Sequence, residues 1–77
     1  MREIEVMKRY AIVIEKGHSN YSAYVPDLQG CVAAGDTIAE TRELMRGAVE
    51  MHLEGMREDG LGIPEPTSQV EYLEVAA

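Results

Sequence analysis

The alternation of apolar and polar positions predicts three strands, one long helix and a final strand. Apolar residues occupy both faces of the first strand, Val6–Glu15, which is typical of a strand covered on both sides. A polar turn at residues 16–20 leads into Tyr21–Val25, which should return antiparallel as a hairpin. Cys31–Ala34 is short and would add to the same sheet. Gln69–Val75 alternates loosely and predicts the last strand.

The single helix is predicted between residues 36 and 59. Thr37 and Glu40 form a capping box, in which the Thr37 hydroxyl accepts from the third helical amide and Glu40 reaches back. Gly60 and the prolines beyond it end the helix. Apolar side chains at helical spacing should face the sheet: Ile38, Met45, Val49, His52 and Met56, flanked by Ala48 and Leu53.

This order, β-β-β-α-β, predicts an α+β two-layer fold with an antiparallel-rich sheet and one long helix on one face. A single helix covers only one sheet face, so a second subunit is the simplest cover for the other. The chain has 77 residues and should form one domain, residues 1–77. A chain of this size buries only about 60% of its unfolded surface. The one cysteine, Cys31, forms no intrachain disulfide, so we expect a dimer or a larger homo-oligomer.

Charge narrows the classes of partner. The formal net charge is −7, with 14 acidic residues against 7 Lys and Arg. This balance argues against direct nucleic-acid binding, which needs clustered cations, and is compatible with a basic protein partner or with solubility alone. A lone cysteine fits a reducing compartment, and neither a membrane-length apolar run nor a signal peptide is evident. We therefore expect a cytoplasmic protein without a membrane contact.

Residues that could carry chemistry are few. His52 lies in the apolar stripe of the helix without an orienting partner, which favours a core or interface histidine over a general base. Cys31 is more typical of a small buried residue than of a nucleophile. Glu15, Asp27 and Glu40 fall in different local settings and do not predict a metal site. We expect neither an enzyme nor a bound cofactor.

A strand-to-strand corner is the best candidate for a contact surface. Pro26 fixes φ, Asp27 can bond its own backbone and Gly30 can take positive φ, so Pro26, Asp27, Leu28 and Gly30 should form a rigid turn. Tyr24 precedes this corner and should lie on the opposite sheet face from Tyr21, so one of the two tyrosines should be less buried. Glu50 and Glu54 start an acidic row on the helix, which either meets a basic partner or is simply solvated.

The segment Tyr21–Thr37, YSAYVPDLQGCVAAGDT, resembles the HicB-like antitoxin family. Gln29 stands where that family has a second proline, and Thr41 stands where it prefers alanine. The resemblance extends over about residues 8–75 and implies a partial RNase H-like fold. The matching positions are Tyr21, Ala23, Pro26, Asp27, Leu28, Gly30, Cys31, Gly35, Asp36, Thr37 and Glu40.

The resemblance implies a non-catalytic protein that binds and occludes a small basic HicA-type RNA-cleaving toxin. Many family members continue into a DNA-binding domain, whereas this chain ends at Ala77, so we do not expect it to bind DNA. The alternative is a stand-alone oligomeric module that binds a protein or a ligand and has no toxin partner. Co-purification with a small basic protein separates the two hypotheses.

Overall fold

Three antiparallel strands and one helix form two layers in the computed structural model, which describes residues 7–77. The strands are β1 (Val13–Lys16), β2 (Tyr21–Val25) and β3 (Leu28–Gly35), in the spatial order β1-β2-β3. The helix, α1, spans Ile38–Glu58. The predicted fold class is confirmed, and the residues that were predicted for β2 match its bounds.

The pairing register assigns each side chain to a face. Ile14 lies opposite Ala23, which in turn lies opposite Ala33, and all three contact the core beneath α1. One residue earlier on β1, Val13 lies opposite Tyr24, which lies opposite Val32. Because successive strand residues point to opposite faces, this second row lies on the sheet face away from the helix.

The core is a small cluster between the sheet and α1. Tyr10, Ile12 and Ile14 pack against it from the first segment of the chain. The helix contributes Met45, together with the partly buried Ala48, Val49 and Leu53. Ile38 was predicted to belong to this stripe, but it is exposed because it is the first helical residue, beside the N-cap, before α1 passes over the sheet. The buried apolar residues are Ala23, Val25, Leu28, Cys31 and Met45.

Both ends of α1 are capped at the predicted residues, although only the Thr37 half of the predicted capping box is present: within residues 7–77 the Glu40 side chain makes no return bond to the Thr37 amide. Thr37 is the N-cap, and its hydroxyl accepts a hydrogen bond from the amide of Glu40 at 3.0 Å. At the other end Gly60 has φ +72°, and the amides of Gly60 and Leu61 donate to the carbonyls of Arg57 and Met56. These two bonds form a Schellman motif, which needs a residue with positive φ and therefore favours glycine.

Three strand predictions differ from the structure. β3 spans Leu28–Gly35 instead of the predicted Cys31–Ala34 and includes three residues of the predicted turn, because Leu28 already pairs with Val25. The first strand was predicted to begin at Val6, which lies outside the described residues, but pairing with β2 starts only at Val13. The last strand, predicted over residues 69–75, was wrong for the isolated chain: this segment is exposed and has no strand partner within residues 7–77. A strand requires a neighbour for its backbone groups, and alternation alone does not supply one.

Candidate functional site

The corner between β2 and β3 is tighter than the predicted Pro26–Gly30 turn: Val25 pairs with Leu28, so only Pro26 and Asp27 lie between the strands, and Gly30 lies within β3. Gly30 has φ +81°, and a Cβ added there would meet nothing within 4 Å, so its backbone conformation and not crowding favours glycine. The register is irregular between Tyr24 and Val25: Tyr24 pairs with Val32 and Val25 pairs with Leu28, so residues 29–31 of β3, which include Gly30, bulge out of the pairing. A shallow depression lies on the corner, lined by Tyr24, Pro26, Asp27 and Val32 among others.

Asp27 uses its carboxylate to hold a distant part of the chain. Its two oxygens accept four hydrogen bonds, from the amides and the hydroxyls of Thr67 and Ser68, at 2.8–3.1 Å. These bonds favour the ionised form, so the pKa of Asp27 is lowered, chiefly by the Ser68 amide. Sequence reasoning assigned Asp27 to the turn or to a partner and missed this role, because nothing in the local sequence links it to residues 40 positions away.

We expect Asp27→Asn to release the segment at residues 67–68. An amide has one acceptor oxygen and no charge, so it cannot accept the four bonds. At neutral pH the Thr67 and Ser68 amides should exchange hydrogen faster by NMR than in the wild type. Glu65→Gln, a nearby change that removes an ion pair with Lys8, is the control and should leave both amides protected.

The same pair of proteins gives a pH test. Because the folded pKa of Asp27 lies below the ordinary 3.8, the stability that its carboxylate contributes is fully present above about pH 4 and is lost as pH falls through the folded pKa. The wild type should therefore unfold at a higher urea concentration than Asp27→Asn at neutral pH, and this difference in unfolding midpoint should shrink below pH 3.8. A difference that stays constant across this range would contradict the proposed origin of the effect.

Of the two tyrosines, Tyr24 is the exposed one. Tyr21 is half-buried on the helix side, whereas Tyr24 is 42% exposed on the other face, between Val13 and Val32. Val32 is also exposed, so these side chains form an apolar row on the sheet face away from α1. Sequence reasoning did not select Val32, although its place opposite Tyr24 follows once the register is known.

The other candidate residues divide between the core and the helix. Leu28 is 1% exposed, so its assignment to a contact surface is corrected: it is a core residue that supports the corner from below. Pro26 and Gly30 are exposed at the corner. Glu50 and Glu54 are exposed on α1, in the other layer, so they do not join Tyr24 in one flat surface.

Glu50 lines a second concavity, which we call the α1–β1 groove. This groove has a volume of about 500 Å³ and lies between one side of α1 and residues 7–12, the segment that leads into β1. Arg42 and Arg57 mark its two limits along the helix. His52 is half-buried on α1 and is not among the residues that line this groove.

The described residues offer little for catalysis. Cys31 is buried, as predicted, and burial raises the pKa of its thiol, which disfavours the reactive thiolate. Within residues 7–77, no three His, Cys, Asp or Glu side chains gather as a metal site would need. Over the same residues, no helix is long and apolar enough to cross a membrane.

Known proteins resemble the chain both in sequence and in structure. It is 39% identical over 64 residues to an uncharacterized 14.9 kDa protein from the rep–hol intergenic region of Haemophilus phage HP1, covering 83% of this chain but only 48% of that protein. It is 34% identical over 65 residues to a UPF0150 protein of Helicobacter pylori, covering 83% of this chain and 90% of the relative.

The structural comparison agrees with the sequence comparison. A chain from the solved HicA3 and HicB3 toxin–antitoxin complex superposes with a TM-score of 0.67 and 32% sequence identity, covering 78% of this chain and 70% of that one. Residues 10–76 match the HicB-like antitoxin family of bacterial toxin–antitoxin systems. Together with the three-strand sheet, the long helix and the Pro26–Gly30 corner, this match over most of its length means that the chain belongs to the HicB-like antitoxin family.

Proposed function

We propose that this chain is an antitoxin that binds a small basic HicA-type RNA-cleaving toxin in the cytoplasm and blocks its RNA-facing surface. The observation that carries the proposal is the family match over residues 10–76, joined to the likeness to a chain of the HicA3–HicB3 complex. The net charge of −7 supports it, since an acidic protein competes with RNA for a basic surface. Inhibition is by occlusion, without chemistry by this chain.

The toxin contact is assigned to the sheet face away from α1 together with the exposed part of the corner. This face presents Tyr24 and Val32, and the corner adds Pro26 and Gly30. Exposed aromatic side chains on a rigid strand are frequent anchors of protein interfaces, because little side-chain freedom is lost on binding. Glu50 and Glu54 contribute to the overall acidic field from the other layer and speed encounter rather than form the central contact.

The test is co-expression with a small basic HicA-type protein from the same genome, followed by titration of the purified pair in an RNA-cleavage assay. The wild-type chain should rescue growth, co-purify with the toxin and suppress cleavage, and it should cleave no RNA alone. Tyr24→Ala should raise the Kd at least about thirtyfold, the size expected for an interface hot spot. Val32→Glu should have a similar effect, because it buries a charge in the contact.

Leu44→Ala is the matched control. Leu44 is 46% exposed, close to the 42% of Tyr24, but lies on α1 in the opposite layer. Its replacement should change the Kd by less than about twofold. If Tyr24→Ala and Val32→Glu both bind the toxin as tightly as the wild type, the toxin contact lies elsewhere on the chain. A folded wild-type chain that neither binds nor rescues would reject the antitoxin role and favour a stand-alone binding module.

A further inference from the structure

We propose that residues 69–75, here called the arm, leave their own domain and fill the α1–β1 groove of a second copy, which returns its own arm. The inference deepens the self-association expected for this chain and does not depend on the toxin. It starts from the disagreement noted above: the arm has the alternation of a strand and yet is exposed. Three of its apolar side chains, Tyr72, Leu73 and Val75, are among the most exposed in the described residues, and Val70 is also exposed.

The arm carries apolar residues on both of its faces. In an extended strand Val70 and Tyr72 share one face, and Leu73 and Val75 share the other. Such a pattern is typical of a strand with both sides covered. Left in water, Tyr72 at 92% exposure and its neighbours form a surface that favours association.

The path of the chain carries the arm past its own groove. Ile63 lines the groove, and beside it the hydroxyl of Tyr10 donates to the Pro64 carbonyl at 2.5 Å, while Lys8 pairs with Glu65 at 2.7 Å. The next residues, 67–68, are already bound to Asp27 at the corner between β2 and β3. The chain thus reaches the end of its own groove and then moves away from it.

The arm is too short to turn back and fill the groove of its own domain. From the β2–β3 corner to the outer side of β1 the arm must cross about two strand spacings, or about 10 Å, which uses about three residues. The groove runs from Arg42 to Arg57, about 22 Å along the helix. The seven residues of a whole arm span about 23 Å, so a complete arm from another copy fits and the remainder of its own does not.

The groove offers what a strand with this composition needs. In the three-stranded sheet β1 pairs only with β2 within the described residues, so its outer edge is available, and this edge follows directly on residues 7–12, which line the groove. Backbone groups of the arm can pair with an edge of this kind, as in other cases of strand addition. The floor is apolar and is lined by Tyr10, Ile12, Met45, Val49, Leu53 and Ile63.

Charge supports the same occupant. Of the seven Lys and Arg residues in this acidic chain, five line the groove, against one acid, Glu50; Lys8 pairs with Glu65 and Arg46 with Glu43, and the other three have no ion pair within residues 7–77. The arm carries Glu71 and Glu74 and no cation. An acidic, amphipathic strand therefore complements a cationic, apolar groove, and a two-fold dimer satisfies both grooves at once. The groove cations are Lys8, Arg9, Arg42, Arg46 and Arg57.

Light scattering on the full-length chain tests the exchange. The wild type should have the mass of a dimer, and the double variant Tyr72→Asp/Leu73→Asp should have half that mass with an unchanged far-UV circular dichroism spectrum. Met51→Asp is the matched control, because Met51 is also highly exposed but lies outside both groove and arm; it should remain dimeric.

Cross-linking tests which groove receives the arm. In a Cys31→Ala background, one protein carries Tyr72→Cys, at the centre of the arm, and a second, tagged protein carries Val49→Cys, near the centre of the groove. The centre of the arm lies near the centre of the groove whether the arm runs parallel or antiparallel to the helix. Leu73→Cys replaces Tyr72→Cys in a second experiment, because Leu73 lies on the other face of the arm. Mixed and oxidised, the two proteins should form a covalent heterodimer. A third protein carries both Tyr72→Cys and Val49→Cys on one chain. If a disulfide forms only within that chain and not between the two single-cysteine proteins, the exchange is overturned.

Two other outcomes distinguish the arm exchange from self-association in general. A wild-type monomer would overturn both self-association and exchange. A dimer that survives Tyr72→Asp/Leu73→Asp would overturn the exchange alone. Toxin neutralisation is measured separately, and its loss in Tyr24→Ala with the dimer intact would bear on the toxin contact only.

Discussion

Replacing Met45 by alanine is expected to destabilise the chain by about 2–5 kcal/mol. Met45 is 1% exposed and is the buried helical residue of the apolar core, packed against Val25, Leu28 and Cys31 from the sheet. Truncation removes apolar contacts between the two layers and leaves a cavity. Because a core of this size supplies only about 3–5 kcal/mol in total, the variant should be largely unfolded at 25 °C.

The same helix provides the control for this prediction. Met51 is also a methionine of α1, but it is 75% exposed, so Met51→Ala should change the free energy of unfolding by less than about 0.5 kcal/mol. Urea unfolding followed by circular dichroism compares the two variants, at one protomer concentration because association contributes to stability. Equal losses in both variants would contradict the location of the core.

Replacing Gly35 by alanine is expected to cost about 1–3 kcal/mol, because it forces the last strand against the first turn of the helix. A Cβ at Gly35 would lie 2.9 Å from the Thr41 hydroxyl oxygen and 3.1 Å from the Thr41 amide nitrogen. The hydroxyl cannot easily turn away, since Thr41 is buried and donates to the Thr37 carbonyl at 2.7 Å. The amide nitrogen also bonds that carbonyl, so α1 itself would have to shift.

Gly47→Ala provides a contrast of opposite sign. Gly47 lies in the exposed middle of α1, and a Cβ there would meet nothing within 4 Å, so alanine should stabilise by about 0.5–1 kcal/mol. Adding Thr41→Ala to Gly35→Ala should recover part of the loss, because it removes the hydroxyl contact but not the amide contact. Thermal unfolding of the four proteins gives both differences; a stabilising Gly35→Ala would show that β3 and α1 are not tightly joined.

Local sequence signals predicted the fold wherever the structure depends on nearby residues. The turn at Pro26, the Thr37 cap and the stop at Gly60 each depend on residues within a few positions, and each is present, although the turn is shorter than predicted because β3 begins at Leu28. Ile38 shows the limit of periodicity: its spacing matches the core stripe, but its place at the end of the helix leaves it exposed. Position along an element matters as much as the face.

Long-range contacts were the part that the sequence could not supply. Asp27 has the same turn chemistry whether or not Thr67 and Ser68 reach it, so its role as an anchor is visible only in three dimensions. Leu28 was placed on the contact surface because it was predicted to lie in an exposed turn, whereas it is the first residue of β3, pairs with Val25 and is buried. The exposure of Tyr24 required the register with Val13 and Val32.

The Asp27 anchor also sets an order of events during protein synthesis. Its partner Thr67 follows it by 40 residues, which a ribosome adds in about 2–8 s. Hairpins form within microseconds, whereas the anchor must wait for Thr67, which follows the end of α1 by nine residues. Because residues 69–75 follow both anchor partners in the chain, the anchor fixes the base of the arm only when residues 7–68 have already been made.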